Sequence, residues 1–247
     1  MDPSYVFTAT TNFILQEVNG RNCKGVVLGL SGGLDSSVAA TLAVKALGPS
    51  RVLGLVLPDR ASFSSSGAIK DAVKLANNLG IKYNLIEVGG ARSDLTKQLP
   101  SNRLARGNLT VRLRMCVLYY YAAIKKLLVV GTSDRSELEL GYFTKYGDGA
   151  ADILPIGGLY KTEVRELGRY MRIPNRILKK KSTPGLWRGQ TAEGEIGLSY
   201  DEVDEILKSM QGSESYPHKI SSKKVMLVRL LAEKNKHKQS LPPICKL

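Results

Sequence analysis

The sequence predicts an α/β fold, a doubly wound parallel sheet with extra helices at its C-terminal end. In the first half of the chain, short apolar runs alternate with helical patterns, which is typical of parallel strands joined by right-handed crossovers. The last third of the chain is mostly helical in pattern. We find no internal repeat and no long linker, so we expect residues 1–247 to form a single domain.

Strands are predicted where aliphatic residues cluster in a short run that is closed by Gly or Pro or by a polar residue. The first run leads directly into a glycine-rich segment, and the second is closed by Pro58. Because helices separate the runs, we expect helices on both faces of the sheet. The predicted strands are residues 26–30, 51–57, 83–88 and 127–131.

Helices are predicted where apolar residues recur three and four positions apart. Residues 36–47 are apolar nearly all round, which indicates a helix packed on the sheet. Ser199 and Glu202 form the capping box of another helix. The predicted helices are residues 36–47, 68–79, 109–126 and 163–171, a helix that begins at Ser199, and residues 222–234.

The chain is basic, with 36 Lys and Arg against 22 Asp and Glu and a formal net charge of +14. This excess implies anionic partners: nucleic acid, phosphates or a nucleotide substrate. We see no apolar run of membrane-spanning length and no secretory signal. Cys23, Cys116 and Cys245 lack the number and spacing of a disulfide framework or a zinc site, so we expect reduced thiols in a cytoplasmic protein.

A glycine-rich loop, Ser31-Gly-Gly-Leu-Asp-Ser-Ser37, follows the first predicted strand. At the start of a helix, the N–H groups of Ser31, Gly32 and Gly33 can converge on a phosphate, which the helix dipole also attracts. No Lys follows the glycines, so this is not the loop of kinases and GTPases. Asp35 would repel a phosphate without a cation between them, which suggests Mg²⁺. Alternatively, Asp35 is an ordinary helix N-cap.

The string SGGLDSS resembles the pyrophosphate-binding loop of the N-type ATP pyrophosphatases, whose fold is Rossmann-like and adenine nucleotide alpha hydrolase-like. The resemblance implies an enzyme that cleaves ATP between the α- and β-phosphates and adenylates an oxygen of its substrate. Nitrogen or sulfur then replaces that oxygen. The loop indicates the superfamily but does not identify the substrate.

The fourth predicted strand leads into Gly131-Thr-Ser-Asp-Arg-Ser-Glu137. Because parallel strands end at one edge of a sheet, we expect Thr132 and Glu137 to lie on the same edge as Asp35. Glu137 then becomes a second candidate ligand of Mg²⁺. Taken alone, Asp134 and Glu137 can equally form a capping box.

The motif Gly141-Tyr-Phe-Thr-Lys-Tyr-Gly-Asp148 comes next, followed by Lys161-Thr162. Gly107-Asn108 lies upstream, and KKSTPGL, YDEVD and a terminal HK followed by PP lie downstream. Together these motifs are similar to those of the NAD synthetases, in the same order and over nearly the whole chain. Several dispersed motifs in one order are more specific than any single motif.

The resemblance implies a role for each matching position. ATP binding is implied for Gly29, Leu30, Ser31, Gly32, Gly33, Leu34, Asp35, Ser36, Thr132, Lys161 and Thr183. Mg²⁺ is implied for Asp35 and Glu137, and catalytic roles for Asp35 and Lys161. Binding of the substrate, deamido-NAD, is implied for Arg112, Lys145, Asp152, His237 and Lys238.

Three of these positions keep open interpretations. Asp152 can accept hydrogen bonds from ribose hydroxyls or hold the incoming nitrogen. Without the resemblance, Lys145 is equally a solvated surface cation, and His237 equally belongs to a frayed basic tail.

The implied activity is ATP-dependent amidation of deamido-NAD through an acyl-adenylate, giving NAD, AMP and pyrophosphate. Neither end of the chain has room for a glutaminase domain, so free ammonia is the expected nitrogen donor. A separate glutaminase subunit is an open alternative. The family also implies a homodimer. We expect two loops, residues 62–67 and 184–194, to become ordered around bound ligands.

Two other functions compete with this interpretation. Another amidating or thiolating enzyme of the superfamily, such as the ATPase subunit of a GMP synthetase, shares the first loop but not GYFTKYGD. A basic RNA-binding protein would explain the cations after Lys219, yet the sequence has no aromatic RNA-binding strand and no zinc spacing. We therefore favour the ligase, with ATP and a dinucleotide as the anionic partners.

Overall fold

The computed structural model describes residues 1–59, 66–212 and 220–245. Within these ranges, four strands form one parallel sheet in the order β3–β2–β1–β4. The register places Val26 opposite Val52 on one side and opposite Leu128 on the other. The strands are β1 (Gly25–Gly29), β2 (Val52–Val56), β3 (Lys82–Leu85) and β4 (Leu127–Val130).

Helices connect the strands and extend the chain beyond the sheet. None of the described helices is both long enough and apolar enough to cross a membrane. The helices are α1 (Pro3–Gly20), α2 (Leu34–Leu47), α3 (Ser66–Leu79), α4 (Gly89–Thr96), α5 (Arg103–Lys125), α6 (Arg135–Leu140), α7 (Lys161–Tyr170), α8 (Asn175–Leu178), α9 (Ala192–Ile196), α10 (Tyr200–Met210) and α11 (Ser222–Asn235).

Alternate residues of each strand face opposite layers of helices. Val26 and Leu28 of β1 pack in a core that includes residues of α1, α2 and α7. Val27, between them, packs in a second core with Ala122 of α5. The alternation follows from the two-residue period of a strand. Helices therefore cover both faces, and the predicted doubly wound parallel sheet is confirmed.

The C-terminal helices have an apolar core of their own. Leu140 at the end of α6 and Tyr160 before α7 pack with buried residues of α9, α10 and α11, among them Val203 and Val228. This core holds α10 in contact with both α6 and α7. It therefore lies next to the two helices that follow the fourth strand.

Several boundaries differ from the sequence-based prediction, and α1 was not predicted. The Asp2 carboxylate accepts a hydrogen bond from the Ser4 N–H at 2.9 Å, and Pro3 occupies the first helical position. These are ordinary helix-start residues, so the signal was present in the sequence. Helix α5 begins at Arg103 instead of residue 109, because the Asn102 side chain caps the Ala105 N–H at 2.9 Å.

Candidate active site

A cavity of about 410 Å³ opens at the carboxyl ends of β1, β2 and β4. Its walls include Ser31 after β1, Pro58 after β2 and Thr132 after β4. In open parallel sheets, ligands bind at this edge, where connections from the central strand run to opposite sides. The cavity therefore lies where the sequence predicted the site.

The loop after β1 is held in shape by its own serines and by a close contact with α3. The hydroxyl oxygens of Ser31 and Ser36 lie 2.9 Å apart, and the Gly33 N–H donates to Ser31 Oγ at 3.2 Å. Gly32 has a φ of +70°, and a Cβ there would lie 2.2 Å from the Ala68 carbonyl oxygen. Both facts require glycine at this position, in addition to any need for a phosphate to approach.

Three carboxylates and one ammonium meet beside this loop. Asp35 comes from α2, Asp134 and Glu137 from the start of α6, and Lys161 from the first position of α7. Lys161 Nζ lies 2.8 Å from Asp35 Oδ2, 2.7 Å from Asp134 Oδ2 and 3.0 Å from Glu137 Oε1. We call these four residues the carboxylate cluster. The structure thus brings three residues with predicted roles into direct contact.

Asp134 is the member of the carboxylate cluster for which the sequence suggested no role beyond a helix cap. It does cap α6, because its Oδ1 accepts a hydrogen bond from the Glu137 N–H at 2.9 Å. Its second oxygen faces Lys161 in the interior of the protein. A capping interpretation uses only one carboxylate oxygen, which is why the ion pair was missed.

Burial controls the electrostatics of the carboxylate cluster. It raises the pKa of Glu137 well above its usual range and the pKa of Asp134 to about 6, although the Lys161 ammonium opposes both shifts. Burial by itself would lower the pKa of Lys161, but the carboxylates outweigh burial and hold that pKa well above its ordinary value. Three carboxylates beside one ammonium favour the entry of a further cation.

The donor set fits a hard divalent cation. Carboxylate oxygens of Asp35, Asp134 and Glu137 lie within 4.8 Å of one another. The buried Asp35 Oδ1 has no hydrogen-bond partner among the described residues. Oxygen ligands of this kind are the ones that Mg²⁺ prefers.

Thr183 lies at the cavity wall within a tightly bonded turn. Its hydroxyl donates to the Gln190 carbonyl oxygen at 2.6 Å and accepts from the Gly185 N–H at 3.0 Å. These bonds hold the segment 183–190 beside the cavity; it overlaps the loop 184–194, for which we predicted ordering on ligand binding. Of the other such loop, 62–67, residues 62–65 lie outside the described residues.

Two cations without a predicted role also line the cavity. Lys180 Nζ donates to the Gly32 carbonyl oxygen at 2.8 Å and pairs with Asp71 at 3.1 Å. Arg114 Nε donates to the Leu57 carbonyl oxygen at 3.0 Å. Both side chains brace the loops that follow β1 and β2. For Lys180, the sequence signal was its place at the start of the motif KKSTPGL, which is similar to one of the NAD synthetases.

Four residues with predicted substrate roles meet outside the cavity, around residues 141–148. Lys145 Nζ donates to the His237 carbonyl oxygen at 2.7 Å, and Lys238 Nζ donates to that of Gly141 at 2.7 Å. The guanidinium of Arg112, on the exposed face of α5, donates to the Lys145 carbonyl oxygen at 3.2 Å. We call Arg112, Lys145, His237 and Lys238 the cation cluster.

Asp152 makes its contacts at a different place. Its Oδ2 accepts a hydrogen bond from the Val129 N–H at 2.7 Å, and its Oδ1 lies 3.5 Å from the Tyr119 hydroxyl. The next residue, Ile153, forms a parallel bridge with Val130. Asp152 therefore anchors the segment after residue 150 to the edge strand β4.

Comparison with known proteins shows similarity to NAD synthases over nearly the whole chain. The family model described as NAD synthase matches residues 6–242. The chain is 46% identical over 239 residues to the NH(3)-dependent NAD(+) synthetase of Pyrobaculum aerophilum, covering 94% of this chain and 88% of that protein. Its identity to the protein of the same name from Methanosarcina mazei is 44% over 245 residues, covering 96% and 95%.

Solved structures agree with the sequence relatives. The chain resembles the NMN synthetase of Francisella tularensis with a TM-score of 0.91 and 35% identity over 100% of both chains. It resembles the NH3-dependent NAD synthetase of Campylobacter jejuni, solved in complex with a nitrate ion, with a TM-score of 0.87 and 33% identity over 100% of both chains. With a family model that spans nearly its whole length and relatives this similar, the chain belongs to the NAD synthase family.

Proposed function

We propose that this chain catalyses the ATP-dependent amidation of deamido-NAD by ammonia, which yields NAD, AMP and pyrophosphate. The observation that carries the proposal is the carboxylate cluster, because it sets three carboxylates and a buried ammonium beside a glycine-rich loop at the ligand-binding edge of the sheet. Family membership and relatives named NH(3)-dependent NAD(+) synthetases support the substrate and the donor. They do not favour the GMP synthetase alternative.

We assign ATP to the cavity. The residues with a predicted ATP role line it, with the exception of Gly32, which packs against α3. The start of α2 and the Lys161 ammonium supply positive charge for the triphosphate. The assigned residues are Gly29, Leu30, Ser31, Gly32, Gly33, Leu34, Asp35, Ser36, Thr132, Lys161 and Thr183.

We assign Mg²⁺ to Asp35 and Glu137, with Asp134 holding the Lys161 ammonium beside them. A bound Mg²⁺ would neutralise charge on the phosphates of ATP. The partnerless Asp35 Oδ1 supports this assignment, since a buried carboxylate oxygen needs a hydrogen bond or a cation.

The chemistry needs no nucleophilic side chain. The nicotinate carboxylate bonds to the α-phosphorus of ATP, the bond from that phosphorus to the bridging oxygen of the β-phosphate breaks, and pyrophosphate leaves. Ammonia then attacks the acyl carbon of the acyl-adenylate, AMP leaves, and the nitrogen loses one proton to give the amide. The residues of the site therefore act by holding charge and orienting groups, with Lys161 facing the phosphates.

We assign deamido-NAD to the cation cluster, together with Asp152. Ammonium and guanidinium groups suit the pyrophosphate and ribose oxygens of a dinucleotide. Since the cation cluster lies outside the cavity, the dinucleotide would extend from the cavity along the exposed face of α5. Asp152 would contact the substrate from its position beside β4, near the Tyr119 hydroxyl.

We further propose a homodimer in which this face of α5 meets a second copy of the chain. Tyr120 and Ile124 are 65% and 59% exposed. Arg112 and Cys116 lie exposed at the preceding four-residue steps of the same helix face. Exposed apolar side chains at this spacing form one stripe, which a partner surface would cover. The proposed location is cytoplasmic, in keeping with the three free cysteines.

A second candidate, synthesis of NMN by amidation of nicotinate mononucleotide, is favoured by the likeness to the Francisella protein. One assay separates the candidates. The purified protein receives ATP, Mg²⁺ and ammonium with deamido-NAD, nicotinate mononucleotide or XMP, and AMP and amidated product are quantified.

We expect the highest kcat/KM with deamido-NAD, and a preference for ammonium when glutamine is offered instead. A higher kcat/KM with the mononucleotide would favour the second candidate. The absence of product with deamido-NAD would refute the proposal.

A further inference from the structure

Two buried side chains of α10 face the start of α7, and the proposed function uses neither. Tyr200 is fully buried, and Asp204 is 2% exposed. Residues four positions apart lie on one face of a helix. That face is turned towards Lys161 and the end of α6, through the core that the C-terminal helices share.

Asp204 is bonded to both segments that supply the carboxylate cluster. Its Oδ2 accepts a hydrogen bond from the Thr162 N–H at 2.8 Å, and its Oδ1 accepts one from the Ser136 hydroxyl. Ser136 Oγ in turn accepts a hydrogen bond from the Lys161 N–H at 2.9 Å. Ser136 directly precedes Glu137, so this one carboxylate joins the backbone at Lys161 to the backbone at Glu137.

These bonds add to the cap at the start of α7, where the Glu163 carboxylate accepts a hydrogen bond from the Tyr160 N–H at 2.9 Å. The first N–H groups of a helix have no partner inside the helix. In α7, side chains of α6 and α10 satisfy the N–H groups of Lys161 and Thr162, and the Asp204 charge lies at the positive end of the helix dipole. Rotation or sliding of α7 would break buried hydrogen bonds, so Lys161 is held at a set distance from Glu137.

Tyr200 restrains the other end of the Lys161 side chain. Lys161 Nζ lies 4.9 Å from the centre of the Tyr200 ring, which is itself packed in the core of the C-terminal helices. A cation is attracted to the face of an aromatic ring, and a buried ring limits the conformations of its neighbour. The Tyr200 hydroxyl has no hydrogen-bond partner among the described residues, so the contact depends on the ring.

We propose that Tyr200 and Asp204 are positioning residues, which hold Lys161 and Glu137 in the geometry required for formation of the acyl-adenylate. Neither side chain lines the cavity in the described part of the chain. This inference rests on the proposed function, because it names the step that the held residues serve. It gives the C-terminal helices a part in catalysis as well as in stability.

The test compares Asp204→Asn and Ser136→Ala with Glu205→Gln. Asparagine is nearly isosteric but cannot accept from both Thr162 and Ser136, whereas Glu205 is the exposed next residue and loses the same charge. kcat, KM for ATP, calorimetric ATP affinity and thermal unfolding are measured for each protein. The assay uses whichever substrate the wild type amidates. A wrong substrate assignment would show as missing activity of the wild type with deamido-NAD. A wrong positioning role would show only as unchanged kcat in the variants.

We expect Asp204→Asn and Ser136→Ala each to lower kcat about tenfold to a hundredfold, as loss of a supporting hydrogen bond does. ATP affinity should change by less than about threefold, and Glu205→Gln should match the wild type. The double variant Asp204→Asn/Ser136→Ala should lose little more kcat than either single variant, because both substitutions break the same hydrogen bond between Asp204 and Ser136. Tyr200→Phe, which keeps the ring, should retain kcat, and Tyr200→Leu should lower it.

A folded Asp204→Asn protein with kcat within about twofold of the wild type would overturn the proposal. The proposal would also be overturned if the activity of each variant fell only in proportion to its fraction of folded protein. Should Asp204→Asn fail to fold, Ser136→Ala decides, since it leaves the bond between Asp204 and Thr162 in place. Normal kcat in Ser136→Ala contradicts the positioning role.

Discussion

The carboxylate cluster and the cation cluster balance their charges in opposite ways. Lys161 is 2% exposed and contacts three carboxylates, so its charge is paired within the fold. Lys145 and Lys238 donate instead to backbone carbonyl oxygens, and no carboxylate in the described ranges forms an ion pair with them. Buried charges require partners within the fold, whereas partly exposed cations such as Lys145 and Lys238 keep donors for a ligand. The carboxylate cluster is thus held by ion pairs within the fold, whereas the cation cluster is held by hydrogen bonds to the backbone.

We expect the largest effect from removal of a carboxylate from the carboxylate cluster. We expect Asp35→Asn or Glu137→Gln to lower kcat about 10³-fold, because charge on the phosphates would no longer be neutralised. Thermal unfolding should change little, since both side chains are partly open to the cavity. Asp94→Asn, at an exposed ion pair with Lys97, is the matched control. Near-normal turnover in either variant would refute the metal assignment.

Removal of the buried ammonium tests the internal charge balance directly. Lys161→Gln leaves three carboxylates facing one another, and we expect it to destabilise the protein by about 3 kcal/mol near neutral pH. Added Mg²⁺ should recover part of that loss, and EDTA should abolish the recovery. Urea unfolding with and without the ion measures both effects. Equal stability of Lys161→Gln and the wild type in EDTA would contradict this balance.

Changes in the cation cluster should act on recognition and leave the chemical centre intact. We expect Arg112→Ala or Lys145→Ala to raise KM for the dinucleotide about tenfold, through loss of a charged hydrogen bond at an exposed site. ATP affinity should be unchanged. Lys125→Ala, at the exposed end of the same helix, serves as the control. A larger effect on ATP affinity than on the dinucleotide would show that the two clusters are not separate sites.

The smallest expected effect concerns the pH dependence of stability. Burial raises the pKa of Asp134 from 3.8 to about 6, so the folded protein binds this proton more tightly than the unfolded chain. The resulting stability is complete below the ordinary pKa and is lost as pH rises through about 6. Asparagine keeps the cap without ionising. Asp134→Asn should therefore gain stability relative to the wild type as the pH rises from about 4 to about 7.

Urea unfolding at several pH values measures this gain. Parallel pH profiles of the wild type and Asp134→Asn would show that Asp134 does not titrate with a raised pKa. Activity of Asp134→Asn should still fall, because Lys161 loses a charged partner. Higher stability with lower activity is the pattern expected when buried charges serve function.

Much of the molecule could be predicted because its signals are local in the chain. The strands, most helices and the loop after β1 follow from residue patterns within short windows, and their order predicts a common ligand edge. α1 was missed although Asp2 and Pro3 mark its start. Asp134 was predicted only as a cap, because its second contact is with a residue that follows a different connection.

The sequence by itself determined the fold class, the family and the edge of the sheet where Asp35, Glu137 and Lys161 belong. Only the tertiary structure decided which groups touch them. Tyr200 and Asp204 reach Lys161 because packing of the C-terminal core sets the angle and height of α10 beside α7. Asp152 pairs with β4 and the cation cluster stays outside the cavity for the same physical reason. Contacts between distant segments depend on how whole helices and strands pack, which no local pattern of residues records.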